Sequence, residues 1–369
     1  VFYSDFSYFS TLLYTFLQSA VLDTYQEAGI YNPMKKYTKL CIFITSFTLF
    51  ILLFSGCTAT SKEPITKSAF MLNTVIQITL YDNDNEELID RAFNLCEQYE
   101  QELSKTIDSS EISKMNHRTK EETTFPLTEH VEELLLKAQH YSEISNGGFD
   151  VTIGAVSDLW NFTSDTFVLP SPEDVASALP SVGYHNIQIK DHEITFLNPD
   201  TKLDLGAIAK GYIADQLKQF LVDEGVTSGI INLGGNVLCI GERPDGTPFK
   251  IGLQKPFKDR NETVASMDIV DMTVVSSGVY ERNHFVDDVN YHHLLDSKTG
   301  YPLNNGLISV TIITSKSVDG DGLSTTCFSL GMEDGMELIN SLNDTYAVFI
   351  TSDGVLHYSD GAKEFITQN

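Results

Sequence analysis

Three well-separated stretches of the chain gather side chains able to handle a charged ligand. Leu203-Asp204-Leu205-Gly206-Ala207-Ile208-Ala209-Lys210-Gly211-Tyr212 sets a carboxylate, a glycine turn and a lysine at the start of a helical pattern. The first N–H groups of a helix lack intrahelical partners and carry positive potential, so an anion such as a diphosphate would be held there with help from Lys210. A strand-to-helix turn with a surface lysine accounts for the same residues without chemistry. In Asp319-Gly320-Asp321-Gly322-Leu323-Ser324-Thr325-Thr326, Asp321 and Thr325 stand four apart and share a face if a helix begins here. One carboxylate and one hydroxyl could then meet a single magnesium ion, which takes oxygen ligands and commonly keeps substrate phosphates among them. N-capping by an aspartate is the plainer alternative. In Tyr291-His292-His293-Leu294-Leu295-Asp296 a histidine could act as a base near neutral pH. Neighbouring strand residues face opposite ways, so at most one of the two points into a given site, and a half-buried strand histidine is the competing reading.

Two glycine-rich stretches accompany them, Gly147-Gly148-Phe149-Asp150-Val151-Thr152 and Ile231-Asn232-Leu233-Gly234-Gly235-Asn236. Both permit close backbone approach, and both permit an ordinary turn. No P-loop or placed dinucleotide fingerprint occurs, which excludes the nucleotide folds that carry those signatures, and the absence of a nucleophile elbow argues against an α/β-hydrolase.

Periodicity predicts the elements that must position these groups. Met71, Val75, Ile76, Ile78 and Leu80 predict a strand ending near Tyr81, and Asp84 with Glu87 a capping box for the next helix. Helices are expected over 128–145, from Ser171-Pro172 onward, and over 206–224, where Gly225 stops the last. A hairpin over 188–196 turns at Asp191-His192. Strands are then expected over 229–239, 249–253, 264–275, 284–295 and 307–314, helices over 321–330 and 334–342, and a last hairpin at Asp353-Gly354. Without a regular βαβ alternation the fold class is α+β, with mixed, largely antiparallel sheets and packed helices in one domain over 68–369.

Of 369 residues 42% are hydrophobic, enough for a large core. The net charge of −27 repels polyanions and argues against nucleic-acid binding. Lys35, Lys36 and Lys39 precede an uncharged apolar run at 40–54, the pattern of a signal peptide over 34–56. That run falls short of the ~20 residues a spanning helix needs. Leu53-Phe54-Ser55-Gly56-Cys57 then resembles a lipobox, so Cys57 is expected to be acylated and residues 57–67 to tether an exported domain to the cell membrane. Residues 1–33 precede the start methionine Met34 and are expected to be a spurious extension. Cys41, Cys57, Cys96, Cys239 and Cys327 show no CxxC spacing, which argues against a zinc site or a disulfide framework.

In order, the runs at 204–215, 231–236, 292–302 and 321–325 make the chain similar to the ApbE family of FAD:protein FMN transferases, over roughly residues 68–360. The resemblance implies that Met71, Phe149, Asp150, Val151, Asp204, Lys210 and Leu295 contact FAD. It likewise implies that Ala207 through its carbonyl, Asp321 and Thr325 hold Mg2+, and that His293 is the catalytic base. FAD would be the substrate and a Ser or Thr of an electron-transfer flavoprotein the acceptor. The chain departs from the family pattern at Leu72-Asn73, at Thr106 where an aromatic is frequent, and at Ser297 where Pro is. An FAD pyrophosphatase that uses water as the acceptor, and a lipid-anchored solute-binding protein, are the alternatives. Replacing Cys57 by Ser is expected to move the protein from the membrane to the soluble fraction and to remove incorporated fatty acid, read by fractionation and metabolic labelling.

Overall fold

A computed structural model describes residues 63–164, 166–259 and 261–367. Cys57, the signal segment 34–56 and residues 1–33 lie outside the described residues. The described chain opens on β1 (Ile65–Met71) and β2 (Thr74–Leu80). Where periodicity predicts one strand, the chain folds back at Leu72-Asn73, whose positive φ values of 53° and 56° make the left-handed pair of a tight hairpin turn. Strand structure starts at Ile65, so it reaches into the stretch 57–67 expected to be a tether.

Next come α1 (Glu86–Leu103), α2 (Glu111–Asn116), β3 (Thr124–Pro126), α3 (Glu129–Ile144), α4 (Gly154–Trp160) and α5 (Pro172–Ala178). Asn85, not Asp84, caps α1 by accepting from the Glu87 N–H, and Asn serves as well as Asp in that position. Ser171 caps α5 with Pro172 in its first turn, as expected. β4 (Ile187–Lys190) and β5 (Glu193–Phe196) turn at Asp191-His192 as read.

The second half holds α6 (Ala209–Asp223), β6 (Ser228–Leu233), β7 (Asn236–Gly241), β8 (Phe249–Gln254), β9 (Thr263–Ile269), β10 (Thr273–Gly278), β11 (Asn283–Val286), β12 (Val289–His292) and β13 (Leu307–Thr314). It closes with α7 (Ser317–Leu330), α8 (Met332–Asn340), β14 (Tyr346–Thr351), β15 (Leu356–Tyr358) and β16 (Ile366–Thr367). Three expected strands are each two strands: left-handed residues at Gly234-Gly235 and Asp287-Asp288 reverse the chain, and left-handed Asp271 marks its passage from one sheet to another.

Strands β1-β2-β6-β7-β10-β13-β14-β15 form one sheet in that order, every pair antiparallel. Alternation sorts its side chains onto two faces. Ala347 and Phe349 join the helices in the larger core, whereas Val348 and Ile350 pack with Phe249, Met267 and Ile269 of the β16-β9-β8 sheet. Both faces of this region are therefore covered, and the α+β class is the one expected. No helix among the described residues is long and apolar enough to cross a membrane.

Helices α6 and α7 meet closely. The Asp215 carboxylate accepts from the Ser317 and Val318 N–H groups at 2.8 and 2.9 Å, capping α7 from its neighbour. α7 thus starts four residues before the expected Asp321, which places Asp321 in the second turn and rules out its reading as an N-cap. Gly211 carries no side chain because a Cβ there would lie 2.2 Å from the Ser317 carbonyl oxygen. Gly320 and Gly322 seat α7 on β10 and α3 in the same way, with Cβ positions 2.6 Å from Val275 and 2.2 Å from Tyr141. Gly211→Ala is expected to destabilise the chain by about 1–3 kcal/mol through forced separation of the helices, read by urea unfolding.

Candidate active site

A cavity of about 860 Å³ opens where the turn before α6, the second turn of α7, the end of β10 and the loops at 148–151 and 293–295 come together. Asp204, Ala207 and Lys210 line it from the first, Asp321 and Thr325 from the second. Phe149, Asp150 and Val151 enter from the loop at 148–151, and His293 and Leu295 from the loop at 293–295. Met71 does not line it: its side chain packs on the main core, and the adjoining Leu72, Asn73 and Thr74 face the cavity instead. The hairpin turn shifts the exposed backbone one residue beyond the strand end.

Asp321 is 3% exposed. Its Oδ2 accepts from the Gly211 N–H at 2.5 Å, its Oδ1 from the Asn236 amide at 3.1 Å, and the Lys210 ammonium lies 3.6 Å from Oδ1. One turn on, the Thr325 hydroxyl stands 3.3 Å from Ser277 Oγ. A buried carboxylate and a hydroxyl are hard oxygen donors, and one carboxylate suits a cation that shares its shell with phosphates. No group of three or more His, Cys, Asp or Glu side chains forms a metal cage among the described residues. The donor set therefore fits magnesium held jointly with a ligand.

Asp204 is organised differently. Oδ1 accepts from the Gly206 N–H at 2.9 Å, and Oδ2 meets Ser157 Oγ at 2.7 Å and the Lys105 ammonium at 2.9 Å. Burial by itself would raise this carboxyl, but the Lys105 charge and these hydrogen bonds outweigh it and hold the group below its ordinary range. Lys105 also reaches Asp158 at 2.9 Å. Nothing in the sequence marked Lys105, because its flanks, Ser104 and Thr106, are those of any polar loop.

Phe149 and Asp150 have duties inside the protein. The Phe149 ring is buried against Tyr141, 5.7 Å between centroids, so it is core and not a free stacking face. Asp150 accepts from Thr152 N–H and Oγ1 and from the Tyr184 N–H, and so ties the loop together. Ser297 donates to the Gly147 carbonyl and pins the same loop from the other side.

The residues matched by the family model described as "ApbE family" are 72–350. The chain belongs to the ApbE family. A relative from Klebsiella pneumoniae named FAD:protein FMN transferase is 35% identical over 286 residues, 77% of this chain and 88% of its own. One of the same name from Treponema pallidum is 28% identical over 80% of this chain and 86% of its own. The crystal structure of the ApbE protein from Thermotoga maritima aligns with a TM-score of 0.76 at 28% identity, covering 83% of this chain and all of that one. Flavin transferase ApbE from Vibrio cholerae aligns with a TM-score of 0.73 at 25% identity, over 82% and 99%.

The two histidines of this ApbE-family chain part at the end of β12, where His292 is the last strand residue and His293 begins the bend that follows. His292 is buried beside Phe328, 6.3 Å between ring centroids, with Nε2 3.0 Å from the Leu303 carbonyl. His293 lines the cavity. Burial pushes the His292 imidazole down to about 4, and burial with the charges of Arg282 and His292 pushes His293 down to about 3. Both folded values lie below the unfolded value of about 6.5, so the unfolded chain takes up protons that the folded chain refuses. Stability contributed by these groups is complete above about pH 6.5 and declines as pH falls toward 4. The decline should be about 1.4 kcal/mol per pH unit shallower in His293→Gln than in the parent, measured by urea unfolding across that window.

Proposed function

We propose that this chain is a magnesium-dependent FAD:protein FMN transferase that esterifies FMN to a Ser or Thr hydroxyl of an acceptor flavoprotein. The observation that carries the reading is the convergence of Asp204, Lys210, Asp321, Thr325 and His293 on one cavity from three distant parts of the sequence. The names of the relatives support the same activity. Ala207 through its carbonyl, Asp321 and Thr325 would hold the ion. A bound Mg2+ would supply charge stabilisation at phosphate oxygens.

The chain's own residues would do the rest. Lys210 and the positive end of the α6 dipole draw in the diphosphate. The His293 imidazole, neutral at pH 7, takes the proton of the acceptor hydroxyl as that oxygen attacks the FMN-side phosphorus. The bond from this phosphorus to the bridging oxygen breaks, AMP leaves with that oxygen, and FMN stays on the acceptor as a phosphoester. Asp204, kept ionised by Lys105, offers a fixed acceptor for donor groups of the substrate. We place the domain on the exported side of the cell membrane, held by lipid on Cys57, a reading supported by the Leu53-Phe54-Ser55-Gly56-Cys57 run and the apolar segment before it.

Incubating the chain with FAD, Mg2+ and a candidate acceptor should release AMP and leave fluorescence on the acceptor band. Release of AMP with water alone as acceptor would point instead to a pyrophosphatase. Asp321→Ala should lower magnesium-dependent turnover about a hundredfold or more with the fold retained. His293→Ala should keep FAD binding and lose transfer by about 10²–10⁴; full activity in either variant removes that assignment.

A further inference from the structure

Lys105, Lys210 and Arg282 are the cations that line the cavity among the described residues. Lys105 is matched by Asp158 and Asp204, and Lys210 lies beside Asp321. Elsewhere Arg91 pairs with Glu224, Arg243 with Asp245, and Arg118 donates to four backbone carbonyls. Arg282 alone among the described arginines has neither an ion pair nor a side-chain hydrogen bond within the described residues. A guanidinium is always charged and brings five donors, so leaving it unmatched in a half-buried wall costs free energy unless an anion completes it.

Its position says which anion. Asn283 and His292 are register partners at the open end of the β11–β12 hairpin. Arg282 and His293 lie just beyond that register, where the His293 N–H donates to the Arg282 carbonyl at 3.1 Å. Both residues line the cavity. His293 Nδ1 is itself buried with no hydrogen-bond partner, a second polar group at this spot that the protein does not satisfy.

We propose that Arg282 is a phosphate-binding residue that grips the substrate's diphosphate oxygens beside His293. It rests on the reading of the cavity as the FAD site and adds a second anchor to the one at Lys210. The planar fork binds two phosphate oxygens at once, which holds the phosphorus in place while the neighbouring imidazole receives the acceptor's proton.

The test titrates the full chain, its Arg282→Gln variant and its Arg282→Lys variant with FAD, riboflavin and inorganic pyrophosphate, using calorimetry and flavin fluorescence. The Gln variant should bind FAD and pyrophosphate roughly ten- to a hundredfold more weakly and riboflavin unchanged, with the Lys variant intermediate. An equal loss for FAD and riboflavin would make Arg282 structural and overturn the proposal, as would unchanged FAD affinity; both leave the flavin reading standing. A parent chain that ignores FAD but binds pyrophosphate through Arg282 would sink the flavin reading and keep the phosphate site.

Discussion

The Asp321 carboxylate reaches the Gly211 N–H because two helices from different parts of the chain cross almost backbone to backbone. A side chain at Gly211 would push α7 away, and the carboxylate would lose both that donor and the Asn236 amide. Removing an ionised group from water costs several kcal/mol unless hydrogen bonds and counter-charge replace the hydration. Here Gly211, Asn236 and Lys210 together provide that replacement. The rest of the site depends on it: Thr325 follows one turn along α7, and Lys210 and Ala207 belong to the helix start that Gly211 continues.

Charge inside the cavity runs against charge outside it. The chain carries −27 overall, a field that would repel a dinucleotide at long range and that salt screens within about a Debye length. Within the cavity Lys105, Lys210 and Arg282 set cations close to where a diphosphate would lie. Lys105 is spent on keeping Asp204 ionised, and Lys210 moderates Asp321. The same short-range positive potential contributes to the depressed basicity of His293, where the Arg282 charge acts with burial. An anionic ligand would relieve that pressure and raise the imidazole toward a working range.

The loop at 147–151 is rigid for reasons internal to the protein. Phe149 sits in the core, Asp150 binds three donors from its own neighbourhood, and Gly147 receives the Ser297 hydroxyl. What this loop can offer a ligand is its backbone and its shape. Held this firmly, it acts as a fixed wall of the site.

Local patterns set a good part of this in the sequence. Ser171-Pro172 before α5, Gly225 after α6 and the hairpin turn at Asp191-His192 depend on dihedral limits and capping bonds only a few residues wide. The α+β class follows from the order of periods, and the motif runs identify the family. Burial and convergence over distance were another matter. The early start of α7 under the Asp215 cap and the packing of the half-buried Met71 on the main core each depend on neighbours far along the chain. Lys105 and Arg282 had no local signature, since a lysine in a polar loop and an arginine at a strand edge look alike whether they face solvent or a cavity. Sequence spacing records which side chains one element presents on one face; only the packing of elements decides what each face meets, because the energies that choose partners act through space and not along the backbone.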